Sequence, residues 1–279
     1  MRLAAGAVAR RSSVADFLAV VRATAEAEAR RRVAYTIHIV RGPVFPALYY
    51  LTLLIAYRAA GRSVVAGVDV EGYLLVGTIG ILLWSSNLWA SGYAIEHERQ
   101  EGTLLALLLT PAGRSAVVFG YGLGDWAVWV LPSALVTGLL AWGFGVELVV
   151  RDPLALLLAA VGLLGSTLAL GYALAGFFVL SRRANLLANF LQSPIYLLGG
   201  MVVPVSALPA PLDRFAAVFP ISAGMDALRL TLLAGAGLGA IAPLLLELAV
   251  LSAVLLVAGF AGLRLVERAA KRGDELGLE

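Results

Sequence analysis

The sequence predicts an all-α, polytopic membrane protein with six transmembrane helices. Three observations lead there. Apolar residues make up 61% of the 279 positions and charged ones only 14%, where soluble domains carry about half and about a quarter. The apolar excess falls in long runs bounded by Gly, Pro and charge clusters, as bilayer-spanning helices require. Finally, Lys and Arg gather in alternate connecting segments, which is how membrane proteins encode orientation.

Residues 1–41 contain eight Arg and no apolar run of the length a cleavable signal needs. Residues 14–41 read as an amphipathic helix with Phe17, Leu18, Val20 and Val21 on its apolar side. Arg22/Glu26, Glu26/Arg30 and Glu28/Arg32 are opposite charges four residues apart. The Arg30-Arg31-Arg32 run suits a helix lying in the membrane interface among anionic headgroups. Region 1–42 is therefore predicted to be cytoplasmic, ahead of a transmembrane domain at 43–263 and a cytoplasmic tail at 264–279.

The predicted spans are 43–60, starting at Pro43, then 72–95, 115–146, 153–180, 185–203 and 242–263. Each supplies close to the roughly 20 residues that about 30 Å of hydrocarbon demands. The third is longer than one crossing needs and is expected to tilt or run along the interface. Asp152-Pro153 is a good start for the fourth. With the N-terminus inside, the inner segments carry 16 Lys/Arg and the outer ones 5, so both termini are expected in the cytoplasm. Segment 204–241 is apolar but broken by Pro204, Pro209, Pro211, Pro220, Gly235, Gly237 and Gly239. It reads as a re-entrant helical cap on the outer side.

The composition excludes several chemistries. There is no Cys, hence no disulfide, thiolate nucleophile or cysteine metal site. Two His are too few for a His-rich metal site. The single Lys, Lys271, follows no glycine loop, so a phosphate-binding P-loop is ruled out. A net charge of +3 does not point to nucleic acid.

The most informative stretch joins spans two and three. Glu96-His97-Glu98-Arg99-Gln100-Glu101-Gly102 precedes a short apolar helix at 103–109, stopped by Thr110-Pro111. Such a helix is too short to span and too apolar for water, so it fits a partner's groove or the bilayer surface equally well. The pattern formed by Glu96, Glu98, Gly102, Thr103, Leu104, Leu107, Leu108, Pro111 and Arg114 resembles the motif between spans two and three of type-2 ATP-binding-cassette (ABC) exporter permeases. A second block, Gly199-Gly200, Pro204, Leu208, Pro209, Pro220, Asp226 and Arg229, resembles that family's passage from the fifth span into its extracellular re-entrant segment. The order of elements is similar over most of the chain.

This resemblance implies an exporter permease without its own ATPase site and with no cofactor in this chain, ATP and Mg being held by a separate P-loop ATPase subunit. Residues 96–114 would contain the coupling helix that docks in that ATPase, with Glu96, Glu98, Arg99 and Glu101 among its charged members. A second permease subunit, a homodimer being favoured, would complete a transporter in a prokaryotic inner membrane, in contact with membrane lipids. The family's substrates are amphipathic or lipid-like molecules, drugs and glycans.

Two other readings are weighed beside it. Gly122-Leu123-Gly124-Asp125 matches the Gly-x-Gly-Asp pattern of intramembrane aspartyl proteases, but that chemistry needs a second intramembrane Asp, and the sequence offers none. An ion-driven secondary transporter or channel would use a lone carboxylate such as Glu247 or Asp125; the latter is otherwise expected to pair with an Arg or a polar group in the bundle. Ser86, Asn87, Asn189 and Gln192 are candidates to line a substrate path, beside Trp84 and Trp89. Ser85 to Asn87 are consecutive and spread over about 200°, so they cannot share one face. Gly120 and Gly124 form a small-xxx-small pair suited to close helix packing.

Overall fold

The structure, a computed structural model, describes residues 14–34, 36–92, 94–102, 113–179 and 184–271. They form helices α1 (Val14–Ala34), α2 (Thr36–Ala59), α3 (Val70–Asn87), α4 (Ala94–Gln100), α5 (Gly113–Gly143), α6 (Pro153–Val179), α7 (Ala184–Leu198), α8 (Leu212–Ala216), α9 (Pro220–Leu233) and α10 (Leu238–Lys271). A π-helical turn, Leu88–Gly92, extends α3. Two short strands, β1 (Val64–Val65) and β2 (Val68–Asp69), pair as a hairpin between α2 and α3. Ala66 and Gly67 at its tip both have positive φ, as the tightest hairpin turn demands.

Among the described residues, three helical segments are long and apolar enough to cross a membrane: Val70–Ser91, Pro153–Ala175 and Leu238–Arg264. A fourth is formed if Ser115–Trp129 and Pro132–Gly143, bent by 42°, are one span. The bend lies at Pro132, which has no N–H to give the preceding turn. The overlong third apolar run is thus a kinked helix. The predicted first and fifth spans correspond to shorter apolar helices, Val44–Ala59 within α2 and the 15 residues of α7. Helix α2 runs from Thr36 straight through Pro43, so Pro43 lies inside a helix rather than at the start of one.

Helix α3 sits at the centre, touching α2, α5, α6 and α9. Trp84, Ile81 and Leu88 on α3, Leu163 on α6 and Met225 on α9 anchor the main core, all fully buried. Helix α10 lies along α6 but leaves Leu246, Val250, Val254 and Val257 exposed, a face suited to lipid.

Helix α1 packs along the first half of α5 through the small-residue pair read in the sequence. A Cβ added at Gly120 would come within 2.5 Å of the Thr24 Cβ, and one at Gly124 within 2.5 Å of the Ala25 carbonyl oxygen. Phe17, Val20 and Val21 pack on Ala116 and Phe119, while Val14 and Leu18 stay exposed. Gly120 and Gly124 therefore let two backbones meet.

The 199–233 segment forms a cap on the start of α3. The Gly200 carbonyl accepts hydrogen bonds from the Arg229 guanidinium at 2.6 Å and the Tyr73 hydroxyl at 2.8 Å. The Arg229 guanidinium also lies 3.9 Å from the centre of the Tyr73 ring. Gly77 permits this approach, because any Cβ there would strike the Met201 carbonyl.

Candidate functional site

Two features meet where α1, α4 and α5 converge: a junction of charged side chains and a cavity beside it. The junction is built on Glu28 of α1, which is only 2% exposed. Helical spacing puts Arg31 and Arg32 one turn further along the same side. One Glu28 oxygen accepts from Arg31 at 2.6 Å and the other from Arg32 at 2.7 Å. Arg32 then reaches Asp125 of α5 at 3.1 Å, and the Ser86 hydroxyl of α3 donates to the same carboxylate.

Arg31 points the other way, toward α4. Its guanidinium donates to the His97 ring nitrogen, lies 3.6 Å from Glu101 and sits 5.7 Å from the centre of the Tyr121 ring. The Tyr121 hydroxyl donates to Glu98. On the outer side of α4, Arg99 pairs with Glu96 at 2.7 Å. Gly102 closes α4 with φ of +73°, the left-handed conformation that favours glycine after a helix end. The junction therefore joins the N-terminal helix to the very segment that leads into 103–109.

Thr103, Leu104, Leu107, Leu108 and Pro111 lie outside the described residues, and the side chain of Arg114 does too. In the second sequence block, Arg229 is buried in the cap and faces Asp226 at 3.5 Å. Pro220 opens α9; Pro204 and Leu208 flank a 3₁₀ turn, with Pro209 just beyond it.

The cavity holds about 530 Å³ between α1, α2, α3, α5 and α7. Its wall is aromatic on several sides, with Phe45, Trp89, Trp126 and Trp129. Ser85, Ser86, Ser133, Asn189 and Gln192 add polarity, and Arg32 and Asp125 bring the charge pair to its edge. Ser86, Asn189 and Gln192 thus share one cavity, as the path-lining expectation requires. Asn87 does not join them: it is fully buried on the opposite side of α3, donating to the Thr167 carbonyl of α6. The reason is the 100° step per residue, which turns Asn87 away once Ser86 faces inward. Trp84 is likewise in the core rather than the cavity. Glu247 is exposed on α10, far from this charge junction in sequence.

Tyr121, Trp126 and Trp129 were not singled out from the sequence, and Glu28 and Arg32 were read only as a charge pair along α1. Asp125 and Trp129 are four apart, one face of a helix, and that spacing was a usable signal. The pairing of Glu28 with α5 was not, because it depends on which helices touch.

Buried charge, an aromatic cavity and three to four helices long and apolar enough to cross a membrane fit a multi-pass membrane protein. The comparison with known families agrees: residues 67–262 match the family described as ABC-2 family transporter protein. The chain belongs to this family and is a type-2 ABC permease, with no ATPase domain in its 279 residues. Permeases of this kind pair with ABC ATPase subunits. A search of curated proteins finds no match.

Proposed function

We propose that this chain is the membrane-spanning subunit of an ATP-driven exporter, coupled through residues 96–114 to a separate P-loop ATPase that holds ATP and Mg. Six spans make up the membrane domain, with α2 and α7 as the two short ones, segment 204–241 as an extracellular re-entrant cap, and both termini in the cytoplasm of a prokaryotic cell. Two copies of the chain form the translocation unit with two ATPases. The cargo is an amphipathic, lipid-like, drug or glycan molecule taken from the cytoplasm or the inner leaflet. The observation that carries this reading is the junction from Glu28 through Arg31 to His97 and Glu101. It braces α4 against α1 and α5 just before the apolar 103–109 segment. A displacement imposed on that segment passes into α3 and α5, which flank it, as a lever passes load to its arms.

The test is a gentle affinity purification from native membranes, with the co-purifying proteins identified by mass spectrometry. Wild type should bring down a P-loop ATPase. A variant with Leu104, Leu107 and Leu108 changed to Asp should insert in the membrane yet lose it. If no ATPase accompanies wild type even after cross-linking, the coupling assignment fails.

A further inference from the structure

The family leaves the cargo open, and the cavity narrows it. Most of its polar side chains already have partners within the protein. The Gln192 amide donates to the Ser85 hydroxyl at 2.9 Å and the Tyr196 hydroxyl at 2.7 Å. Asn189 donates to Asn185, and the Ser86 hydroxyl is spent on Asp125. A glycan would bury many hydroxyls here and find few free partners, at a cost for each one left unpaired. An apolar body meets no such penalty.

The charge on that body follows from the rings. Trp126 and Trp129 stand on α5 beside Asp125, and Trp89 and Phe45 face them from α3 and α2. Aromatic faces are negative and attract cations, Trp most strongly. The two ionic groups at the edge are not equivalent. Arg32 is already held by two carboxylates, Glu28 and Asp125, so it offers an anion little. Asp125 accepts from Ser86 and Trp129 and faces Arg32 at 3.1 Å through an oxygen without a well-formed hydrogen bond, so its charge lies within a wall of tryptophan. We infer that the cavity between α1, α2, α3, α5 and α7 is a binding site for a hydrophobic organic cation, such as a quaternary ammonium or phosphonium. Its charge sits among the tryptophans next to Asp125 and its apolar groups fill the remaining volume. This rests on the exporter reading only for its name as cargo; the binding itself needs no ATPase.

The test uses the full chain in lipid nanodiscs and two probes of matched shape and opposite charge, tetraphenylphosphonium and tetraphenylborate. Binding is measured by equilibrium dialysis against empty nanodiscs, to subtract partition into lipid. The phosphonium should bind saturably and the borate should not. Asp125→Asn should weaken phosphonium binding by about tenfold or more, the scale of losing one partly buried charge partner. Trp126→Leu should weaken it several-fold while Trp126→Phe retains most of it; this pair carries the test if Asp125→Asn disturbs the fold. Borate binding equal to or tighter than phosphonium binding would overturn the inference and make Arg32 the recognising group. Absence of binding by either probe would overturn the cavity as a ligand site. If no ATPase co-purifies yet the phosphonium binds and responds to both substitutions, the exporter reading falls and the cation site stands.

Discussion

Arg229, buried, and Arg32, partly buried, lie toward opposite ends of α3 and are held in different ways. Arg229 meets chiefly neutral groups, the Gly200 carbonyl at 2.6 Å and the face of Tyr73 at 3.9 Å, with the exposed Asp226 carboxylate at 3.5 Å. Arg32 meets charged ones, Glu28 and Asp125, in a junction where most members have more than one partner. Tyr73, beneath Arg229, and Ser86, which donates to Arg32's partner Asp125, are thirteen positions apart on α3, or about 20 Å along the axis. A cation fixed to a backbone carbonyl and a ring has one good geometry. A network in which Glu28 serves two arginines, and Arg31 faces Glu28, His97 and Glu101, has several of comparable energy. The cap end of α3 is thus a staple, and the α1–α4–α5 end is a joint that can re-pair without leaving a charge exposed to apolar surroundings.

The largest expected effect breaks the joint. Glu28→Ala removes the buried carboxylate shared by Arg31 and Arg32 and leaves Arg32 with Asp125 alone and Arg31 with the exposed Glu101. Stability should fall by about 3 kcal/mol, the usual scale for removing one partner of a buried ion pair. Thermal unfolding of the protein in nanodiscs measures the loss. Limited trypsin digestion measures its location, since α1 should be cut faster at Arg22 and Arg30. Unchanged stability with unchanged cleavage would mean that α1 is held by its apolar and small residues alone.

A smaller effect sharpens the contrast at the staple. Arg229→Leu gives up a charge-assisted hydrogen bond and a cation–ring contact, together about 2 kcal/mol. The loss should be the same at about 0.1 M and 1 M salt, because neither contact depends on an exposed charge. The joint should behave differently. Arg31 and Glu101 are 3.6 Å apart with side chains 37% and 53% exposed, so high salt should loosen α4 from α1, read as faster hydrogen exchange at 97–101. An Arg229→Leu loss that shrinks in high salt would show that Asp226, rather than the carbonyl, holds the arginine.

How much of this was legible in the sequence follows the same division. Helix identity was legible, because long apolar runs admit no other satisfied backbone in lipid. The Gly120/Gly124 contact was visible as a spacing, though not its occupant, α1. Pro43 looked like a helix start, yet α2 continues through it. Asp125 was expected to find an Arg, and the partner is Arg32, ninety-three positions away. Charge pairs four apart on α1 can be read from a string; pairs between helices need the packing first. The cavity was half legible: the polar residues of α3 and α7 were marked, while Asn87 was assigned to the wrong side and the tryptophans of α5 were passed over.

The smallest expected effect concerns Asp152, which belongs to neither end of α3 and ties two helices by their N-termini. One carboxylate oxygen accepts from the backbone N–H of Leu154 and Ala155 at 3.1 Å, capping α6. The other accepts from Leu238 at 3.0 Å, the first residue of α10. These N–H donors, Ala155 foremost, hold the carboxyl below its usual range. Its contribution is therefore fully present above the ordinary carboxylate pKa of about 3.9 and fades as pH falls through the lower folded value. Asp152→Asn separates the two ties, because an amide keeps one accepting oxygen and replaces the other with a donor. Hydrogen exchange at Leu238 should quicken while Ala155 stays protected, and the acid-side loss at these amides should vanish. Asp152→Ala should release both amides at every pH. Equal release of both by Asn would mean that the carboxylate's charge at the two helix ends, rather than its two accepting oxygens, is what joins α6 to α10.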